Sequence, residues 1–239
     1  MKTVDKNVLR VVVLRRLRSV YGIHVKKKRL SERFESRKTW ETSASPRSRR
    51  SLRTHITDQV IFLVDSCKHL LNHAGSEGLF RKSGSVVRLK ALRARLDKGE
   101  DCLSTALPCD LASLVKQFFY ELPCPALPAA LLQAFTSAQR LPTEEERSSA
   151  TQLVSCLLPE INSSTLRFFF IFLKNVSLRA SVNKMDSYNL SVVLAPNLFR
   201  LHSTPEWNDA CHRLYIAWKT VFIFQKVWFL TLLLGMNLL

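Results

Sequence analysis

Residues 110–122 read DLASLVKQFFYEL and carry a clear helical pattern. Their apolar side chains recur at intervals of three and four residues, which is the spacing of one face of an α-helix. Asp110 stands directly before this apolar run and predicts an N-cap, and Pro123 stands directly after it and predicts the end of the helix. Such an amphipathic helix needs a hydrophobic core on one side. Its apolar face consists of Leu111, Leu114, Val115, Phe118, Phe119 and Leu122.

The same spacing predicts further helices on both sides of this stretch. Upstream, one helix begins near Asp58 and can end at Gly75, and a second runs from an N-cap at Ser85 to Gly99. The chain has only 6 Gly and 9 Pro and no series of alternating short strands, which disfavours a sandwich or barrel. The sequence therefore predicts an all-α fold, a compact helical bundle. Downstream helices are predicted over 128–138, 143–158, 164–178 and 185–193.

The formal net charge of +17 is concentrated near the N-terminus. Residues 1–55 contain 17 Lys and Arg against 4 Asp and Glu, a net charge of +13. Residues 201–239 contribute +1, so residues 56–200 hold only +3. Because the basicity belongs to one terminal segment and not to the predicted bundle, no nucleic-acid partner is expected.

Composition divides the chain into a basic N-terminal segment (1–55), a helical domain (56–200) and a divergent apolar tail (201–239). Within the first segment, residues 4–20 have the pattern of a basic amphipathic helix, and residues 24–55 read as a Ser- and Arg-rich linker. The helix pattern fits two arrangements, a helix packed on the domain and a membrane-surface or targeting helix. Both remain open at the level of sequence.

The end of the tail, residues 221–239, also fits two arrangements. It contains one charged residue, Lys226, and its length is close to the roughly 20 apolar residues that cross a bilayer. Lys226 lies near one end of the stretch, where its long side chain could reach the membrane interface. The alternative is a closing helix that covers the core of the bundle. Membrane contact is therefore an open prediction for residues 1–20 and for residues 221–239.

The six cysteines contain no C-x-x-C pair and have no histidine at metal-ligand spacing, so no metal site is expected. Cys67 and Cys156 fall on apolar helical positions, as free cysteines of a reducing compartment do. Residues 1–22 are rich in arginine and lack the uncharged apolar stretch of a signal peptide. We expect a cytoplasmic protein, with membrane association and the nucleus left open.

Residues 75–85, GSEGLFRKSGS, form a short loop between two predicted helices with two adjacent cations, Arg81 and Lys82. This loop is not a Walker phosphate-binding loop, because no glycine stands immediately before Lys82. The chain shows neither a Ser-His-Asp order nor a specific pair of carboxylates. What remains is a function that uses an exposed arginine.

Three blocks of sequence resemble the signature blocks of Rho GTPase-activating (RhoGAP) domains, in the same order and spacing. They are EGLFRKSGS at 77–85, LVKQFFYELP at 114–123 and NKMDSYNLSVVLAPNL at 183–198. The resemblance covers residues 57–200 and implies a bundle of the RhoGAP type that acts on GTP-bound Rho-family small GTPases. It also implies a regulator that supplies a catalytic arginine in trans and is not itself an enzyme. No cofactor is implied, since GTP and Mg²⁺ belong to the partner.

The resemblance assigns the catalytic arginine to Arg81. A guanidinium suits this role because it stays charged and can bridge two of the phosphate oxygens on which negative charge develops. Lys116 matches a second basic position of the family, which implies that it braces the arginine loop or contacts the GTPase. Asn197 matches the asparagine of the third block that contacts the GTPase, and Asn189 matches another polar position of that block. Asn189 and Lys82, which follows Arg81, are further candidate contacts.

Two departures from the family pattern bear on activity. Tyr120 stands where the family has arginine, on the same helix face as Lys116, which removes a charge from the surface that would meet an acidic GTPase. The segment that precedes the first family helix and the helices that follow Leu198 are not recognisable, so the domain resembles a RhoGAP domain shortened at both ends. The alternative to an activator is therefore a module that docks a GTPase or another partner without stimulating hydrolysis.

Overall fold

In a computed structural model of the protein, the described residues are 6–25, 56–122 and 125–199. These residues form nine α-helices and one short 3-10 helix at Leu103–Thr105, and they contain no β-strand, which confirms the prediction of an all-α fold. The α-helices are α1 (Lys6–Tyr21), α2 (Ile56–Asn72), α3 (Val86–Asp97), α4 (Pro108–Glu121), α5 (Ala129–Gln139), α6 (Glu144–Ser155), α7 (Glu160–Ser177), α8 (Ala180–Asn183) and α9 (Ser187–Phe199).

The predicted linker beyond residue 25 and the predicted tail at 201–239 lie outside the described residues. The two alternatives for residues 221–239 therefore stay predictions. No helix in the described part of the chain is long and apolar enough to cross a membrane.

Helix α4 lies at the centre of the larger hydrophobic core, where it packs against α2, α3 and α9. Residues 111–115 of α4 are buried, as are Phe118 and Phe119. The ring of Phe119 lies 4.5 Å from that of Phe169 in α7, measured between centroids. The apolar stripe read from residues 110–122 is thus the face that meets the core.

The predicted N-cap at Asp110 is wrong. Helix α4 begins two residues earlier, at Pro108, and Leu107 precedes it in an extended conformation. Proline suits the first position of a helix because the amide hydrogen that it lacks would have no partner there. Asp110 instead occupies the third position of α4 and is 3% exposed. Its carboxylate serves the neighbouring helix α3, as described below.

The two cysteines expected on apolar helix faces differ in the structure. Cys67 is buried in the core of α2, and this burial raises the pKa of its thiol. Cys156 follows the last residue of α6 and is exposed, so its predicted position on an apolar face is wrong. The helix ends one residue before it, whereas the sequence pattern extended the helix to residue 158.

Helix α1 packs against α6, within a second and smaller core that also includes α5. Val13, Leu17 and Ile23 are buried there, in a cluster with Leu131 and Val154. Of the two arrangements that fitted the sequence, the structure has the helix packed on the domain. The opposite side of α1 remains exposed and includes Val8, Val11 and Val12, and Val20 near the end of the helix is also exposed.

The packing of α1 can be tested at Leu17, whose side chain is 0% exposed. We expect Leu17→Ala to lower the free energy of unfolding by about 2–5 kcal/mol, the range for deleting a buried leucine side chain. Val20→Ala is the matched control, since Val20 lies on the same helix and is 60% exposed. Urea unfolding of the full chain measures both. Equal stability of the two variants would show that α1 is not part of the packed fold.

Candidate functional site

The loop between α2 and α3, residues 73–85, is called the α2–α3 loop and is anchored by Phe80. The Phe80 ring is completely buried and meets two aromatic rings of α7 edge-on, Phe172 at 6.0 Å and Phe169 at 6.5 Å between centroids. Its backbone φ is 69°, in the left-handed region that a bulky residue rarely adopts. The backbone turns at Phe80 so that this ring enters the core while the next side chain leaves it.

That next side chain is Arg81, which is exposed. Its backbone N–H donates to the Gly78 carbonyl at 2.8 Å. Its guanidinium has no hydrogen bond or ion pair with any residue in the described part of the chain. Arg81 therefore combines a fixed backbone with a side chain that is available to an external anion.

Lys82 lies against the same loop. Its ammonium is 3.5 Å from the Glu77 carboxylate, and both side chains are more than half exposed, so this ion pair contributes little to stability. Its aliphatic stem crosses Gly78, whose φ is +72°, and a Cβ at Gly78 would lie 3.0 Å from the Lys82 Cγ. A side chain at position 78 would therefore disturb both the turn and the lysine. Because its ion pair is weak, Lys82 can exchange Glu77 for another anion.

Lys116 of α4 points into the α2–α3 loop. Its ammonium donates a hydrogen bond to the Phe80 carbonyl at 2.9 Å, and burial lowers the pKa of the amine. The resemblance implied that Lys116 braces the arginine loop or contacts the GTPase. In the structure the side chain is half-buried, and its charged end contacts the residue directly before Arg81.

Asp110 connects α4 to the far end of the loop. Its carboxylate accepts a hydrogen bond from the Ser85 backbone N–H at 2.8 Å and also from Arg88 Nε and Nη2. The hydrogen bond from Arg88 is the main reason that the pKa of Asp110 is lowered from its ordinary value. Gly84 passes so close that a Cβ there would lie 2.8 Å from the Asp110 Cα. Its N–H donates to Ser113 Oγ at 3.0 Å.

Asn189 lies in the first turn of α9. Its backbone N–H donates to the Asp186 carboxylate at 2.7 Å, and its side-chain amide donates to the Lys184 carbonyl at 3.3 Å. Asp186 is therefore the residue that caps this helix. Asn189 organises the turn that leads into α9 and keeps its side chain half-exposed.

Asn197 and Tyr120 lie on the two packed helices α9 and α4. The Asn197 amide donates to the Val193 carbonyl of its own helix at 3.3 Å and is half-buried. Tyr120 is 52% exposed, one helical turn beyond Lys116. Among the described residues, neither side chain hydrogen-bonds to the α2–α3 loop. The structure thus brings Arg81, Lys82 and Lys116 together through this loop, and it places the other candidates on neighbouring helices.

The sequence did not identify three residues that shape this site. Phe80 had one available signal, its place beside Leu79 as one of two large apolar residues in an otherwise polar and glycine-punctuated loop. The sequence pattern predicts Asp110 as a local cap, and it gives no role to Asn183, the first residue of the third block. Asn183 is completely buried and touches the loop, as argued below. Within the described ranges, no group of three or more His, Cys, Asp or Glu side chains could hold a metal ion.

Comparisons with known proteins identify the family of this chain. Residues 61–203 match the RhoGAP domain family. The chain is 49% identical over 207 residues to Rho GTPase-activating protein 11A of Homo sapiens, covering 82% of this chain and 20% of that protein. It is 39% identical over 132 residues to Rho GTPase-activating protein 18 of Mus musculus, covering 54% and 20% respectively. The chain thus spans 20% of the length of each of these relatives.

Two solved structures share the fold. Human Rho GTPase activating protein 15 superposes with a TM-score of 0.62 at 23% identity, covering 70% of this chain and 82% of that one. The BH domain from GRAF, the GTPase regulator associated with focal adhesion kinase, gives 0.60 at 23% identity, covering 68% and 90%. At this identity the likeness concerns the fold alone.

The link between α4 and α3 predicts a pH dependence of stability. Because the folded-state pKa of Asp110 lies below the ordinary value of 3.8, its contribution is fully present above that value and is lost as the pH falls through the folded pKa. We expect Asp110→Asn to lower the urea midpoint by a constant amount between about pH 5 and pH 7, with the difference closing below pH 3.8.

The control for this measurement is Asp101→Asn, which makes the same chemical change at an exposed position. It should leave the urea midpoint unchanged across the same range. If the deficit of Asp110→Asn persisted undiminished at the lowest pH, the ionised carboxylate would not be the source of the stability.

Proposed function

The chain belongs to the RhoGAP domain family, and on this premise we propose that it is a GTPase activator for Rho-family small GTPases in their GTP-bound state. Arg81 is the residue that enters the partner's active site. The observation that carries this proposal is an exposed and unpaired guanidinium on a loop whose backbone is fixed on both sides. The protein regulates a reaction whose active site belongs to the partner.

The chemistry requires a cation at the γ-phosphate. Transfer of the phosphoryl group to water leaves negative charge on the phosphate oxygens, and a guanidinium supplied in trans neutralises it. Arginine residues in this role accelerate hydrolysis by about 10³–10⁵, which corresponds to about 4–7 kcal/mol of the activation barrier. No cofactor of its own is needed, because the partner carries GTP and Mg²⁺.

The remaining candidates divide into two roles in this proposal. Lys116 supports the loop from inside through its hydrogen bond to the Phe80 carbonyl. Lys82, Asn189, Asn197 and Tyr120 form the surface that meets the GTPase. Lys82 supplies charge, the two asparagines supply amide donors and acceptors, and Tyr120 supplies an exposed ring with a hydroxyl.

A second candidate is a module that docks a GTPase without stimulating hydrolysis, and Tyr120 is the observation that favours it. Arginine is the residue of the family pattern at this position, and its replacement removes one charge from the docking surface. Electrostatic attraction mainly sets the rate of association and the orientation of the encounter. Weaker orientation of the partner would lower the fraction of encounters in which Arg81 reaches the phosphate.

A membrane contact of the cytoplasmic protein through residues 1–20 is compatible with either candidate. Helix α1 exposes Val8, Val11 and Val12 together with Arg15 and Arg16 while its other side is packed on the domain. Exposed apolar and cationic side chains on one helix favour binding to anionic lipid surfaces. Such a contact would hold the activator beside a membrane-bound GTPase. Residues 221–239 are the other candidate segment for this contact.

The role of Arg81 can be tested by single-turnover GTP hydrolysis with purified Rho-family GTPases. We expect the wild-type chain to accelerate hydrolysis and Arg81→Ala to lower the stimulated rate by about 10³–10⁵. The Kd for the GTP-loaded GTPase should change little, because the guanidinium acts mainly on charge that develops in the transition state. Arg140→Ala is the matched control, an exposed arginine after α5 that should leave both quantities unchanged.

Full stimulation by Arg81→Ala would remove this residue from its proposed role. A wild-type chain that binds the GTP-loaded GTPase without accelerating hydrolysis would instead identify the protein as a docking module.

The effect of Tyr120 can be tested by Tyr120→Arg. We expect faster association with the GTPase and a stronger dependence of the association rate on salt, since the new charge acts at long range. Stopped-flow measurements at several ionic strengths separate the association rate from the dissociation rate. Tyr120→Gln is the neutral control and should not change the salt dependence. Weaker binding of Tyr120→Arg at every ionic strength would show that the tyrosine ring itself packs on the partner.

A further inference from the structure

Asn183, the last residue of α8, is a buried amide whose side chain is fully hydrogen-bonded. Its Nδ2 donates to the Ala74 carbonyl at 2.7 Å and to the Val176 carbonyl at 2.8 Å. Its Oδ1 accepts a hydrogen bond from the Met185 backbone N–H at 2.7 Å. The side chain thus joins the start of the α2–α3 loop to the end of α7 and to the segment before α9.

The backbone of the same residue holds the turn that carries the arginine. The Asn183 carbonyl accepts a hydrogen bond from the Gly78 N–H at 2.8 Å. The Gly78 carbonyl in turn accepts from the N–H groups of both Arg81 and Lys82, each at 2.8 Å. Asn183 is therefore one hydrogen bond away from the turn of residues 78–82.

The geometry points to Asn183 as a positioning residue that fixes the loop on α7, so that the Arg81 backbone is already in place before the partner docks. This inference rests on the proposed function of Arg81. Asn183 is buried and acts only through the loop. A change at Asn183 would lower the rate by displacing Arg81, since a misplacement of about 1 Å in a group that must meet a reacting centre can lower the rate about 100-fold.

An amide is required at this position because two carbonyls point at Nδ2 and one N–H points at Oδ1. Asn183→Asp keeps the size and the acceptor but places a second oxygen against the carbonyls of Ala74 and Val176. We expect this repulsion to release the Ala74 end of the loop. Asn183→Ser shortens the side chain and replaces the two amide N–H donors with a single hydroxyl without adding a charge, so that both carbonyls can no longer be satisfied. It serves as the second variant.

The matched control is Asn175→Asp, which makes the same chemical change at an exposed position of α7. The full chain carries each substitution, and circular dichroism and thermal melting establish that each variant is folded. Two quantities are then measured with a GTP-loaded Rho-family GTPase, the maximal single-turnover rate at saturating protein and the Kd. Hydrogen exchange of the Gly78, Arg81 and Lys82 amides reports the order of the loop directly.

We expect both Asn183 variants to lower the maximal rate by about 10-fold to 100-fold and to leave the Kd within about threefold, with faster amide exchange in residues 78–82. A residue needed only for overall stability would not give this split between rate and Kd. The inference is overturned if the folded variants match Asn175→Asp in rate and exchange, or if both fail to fold, since Asn183 would then serve the fold alone.

Failure of the proposed function is distinguishable from failure of this inference. If the wild-type chain does not stimulate hydrolysis, the proposed function fails, and exchange then decides the positioning claim by itself. Faster exchange of the Gly78, Arg81 and Lys82 amides in Asn183→Asp than in Asn175→Asp would support it. Equal exchange in the two variants would overturn it.

Discussion

The buried ring of Phe80 determines where the α2–α3 loop lies and therefore where Arg81 points. A left-handed backbone at a non-glycine residue costs about 1–2 kcal/mol. Burying a phenylalanine side chain contributes about 1.5–3 kcal/mol, and edge-on aromatic pairs add about 0.5–1.5 kcal/mol. The ring meets two such partners, Phe169 and Phe172, so its burial outweighs the strain of the turn. The outward direction of the next side chain is a consequence of this balance.

Helix α4 supplies the second constraint, because it contacts both the hydrophobic core and the α2–α3 loop. One face is buried in the core, and polar side chains beside it reach the loop at two places. Lys116 contacts the Phe80 carbonyl in the middle of the loop, and Asp110 contacts the Ser85 N–H at its end. Polar groups that are buried or half-buried need hydrogen-bond partners, and each of these two side chains finds one in a backbone group of the loop. Core packing of α4 and placement of the arginine are thus properties of one helix.

Local periodicity predicted the helices but could not predict these contacts. The apolar pattern located α4 because a buried stripe repeats every three to four residues whatever lies against it. The hydrogen bond from Lys116 joins residues 36 positions apart, and the one from Ser85 to Asp110 spans 25 positions. No residue within one helical turn of Asp110 indicates a partner so distant in sequence. The local pattern therefore predicts a cap of its own helix. The resemblance in motif, and not the periodicity, singled out Arg81.

A fixed backbone under a free guanidinium suits an arginine that acts in trans. Under the proposed function, docking would order the Arg81 side chain at a cost of about 1.5–2 kcal/mol, whereas its action on the phosphate would be worth about 4–7 kcal/mol. Ordering the backbone of the five residues 78–82 at the same moment would cost about 5–10 kcal/mol more, at about 1–2 kcal/mol per residue. That cost would cancel the whole gain. Phe80, Lys116 and Asn183 hold this backbone in the folded domain, so that under the proposed function only the Arg81 side chain would remain to be ordered when a GTPase binds.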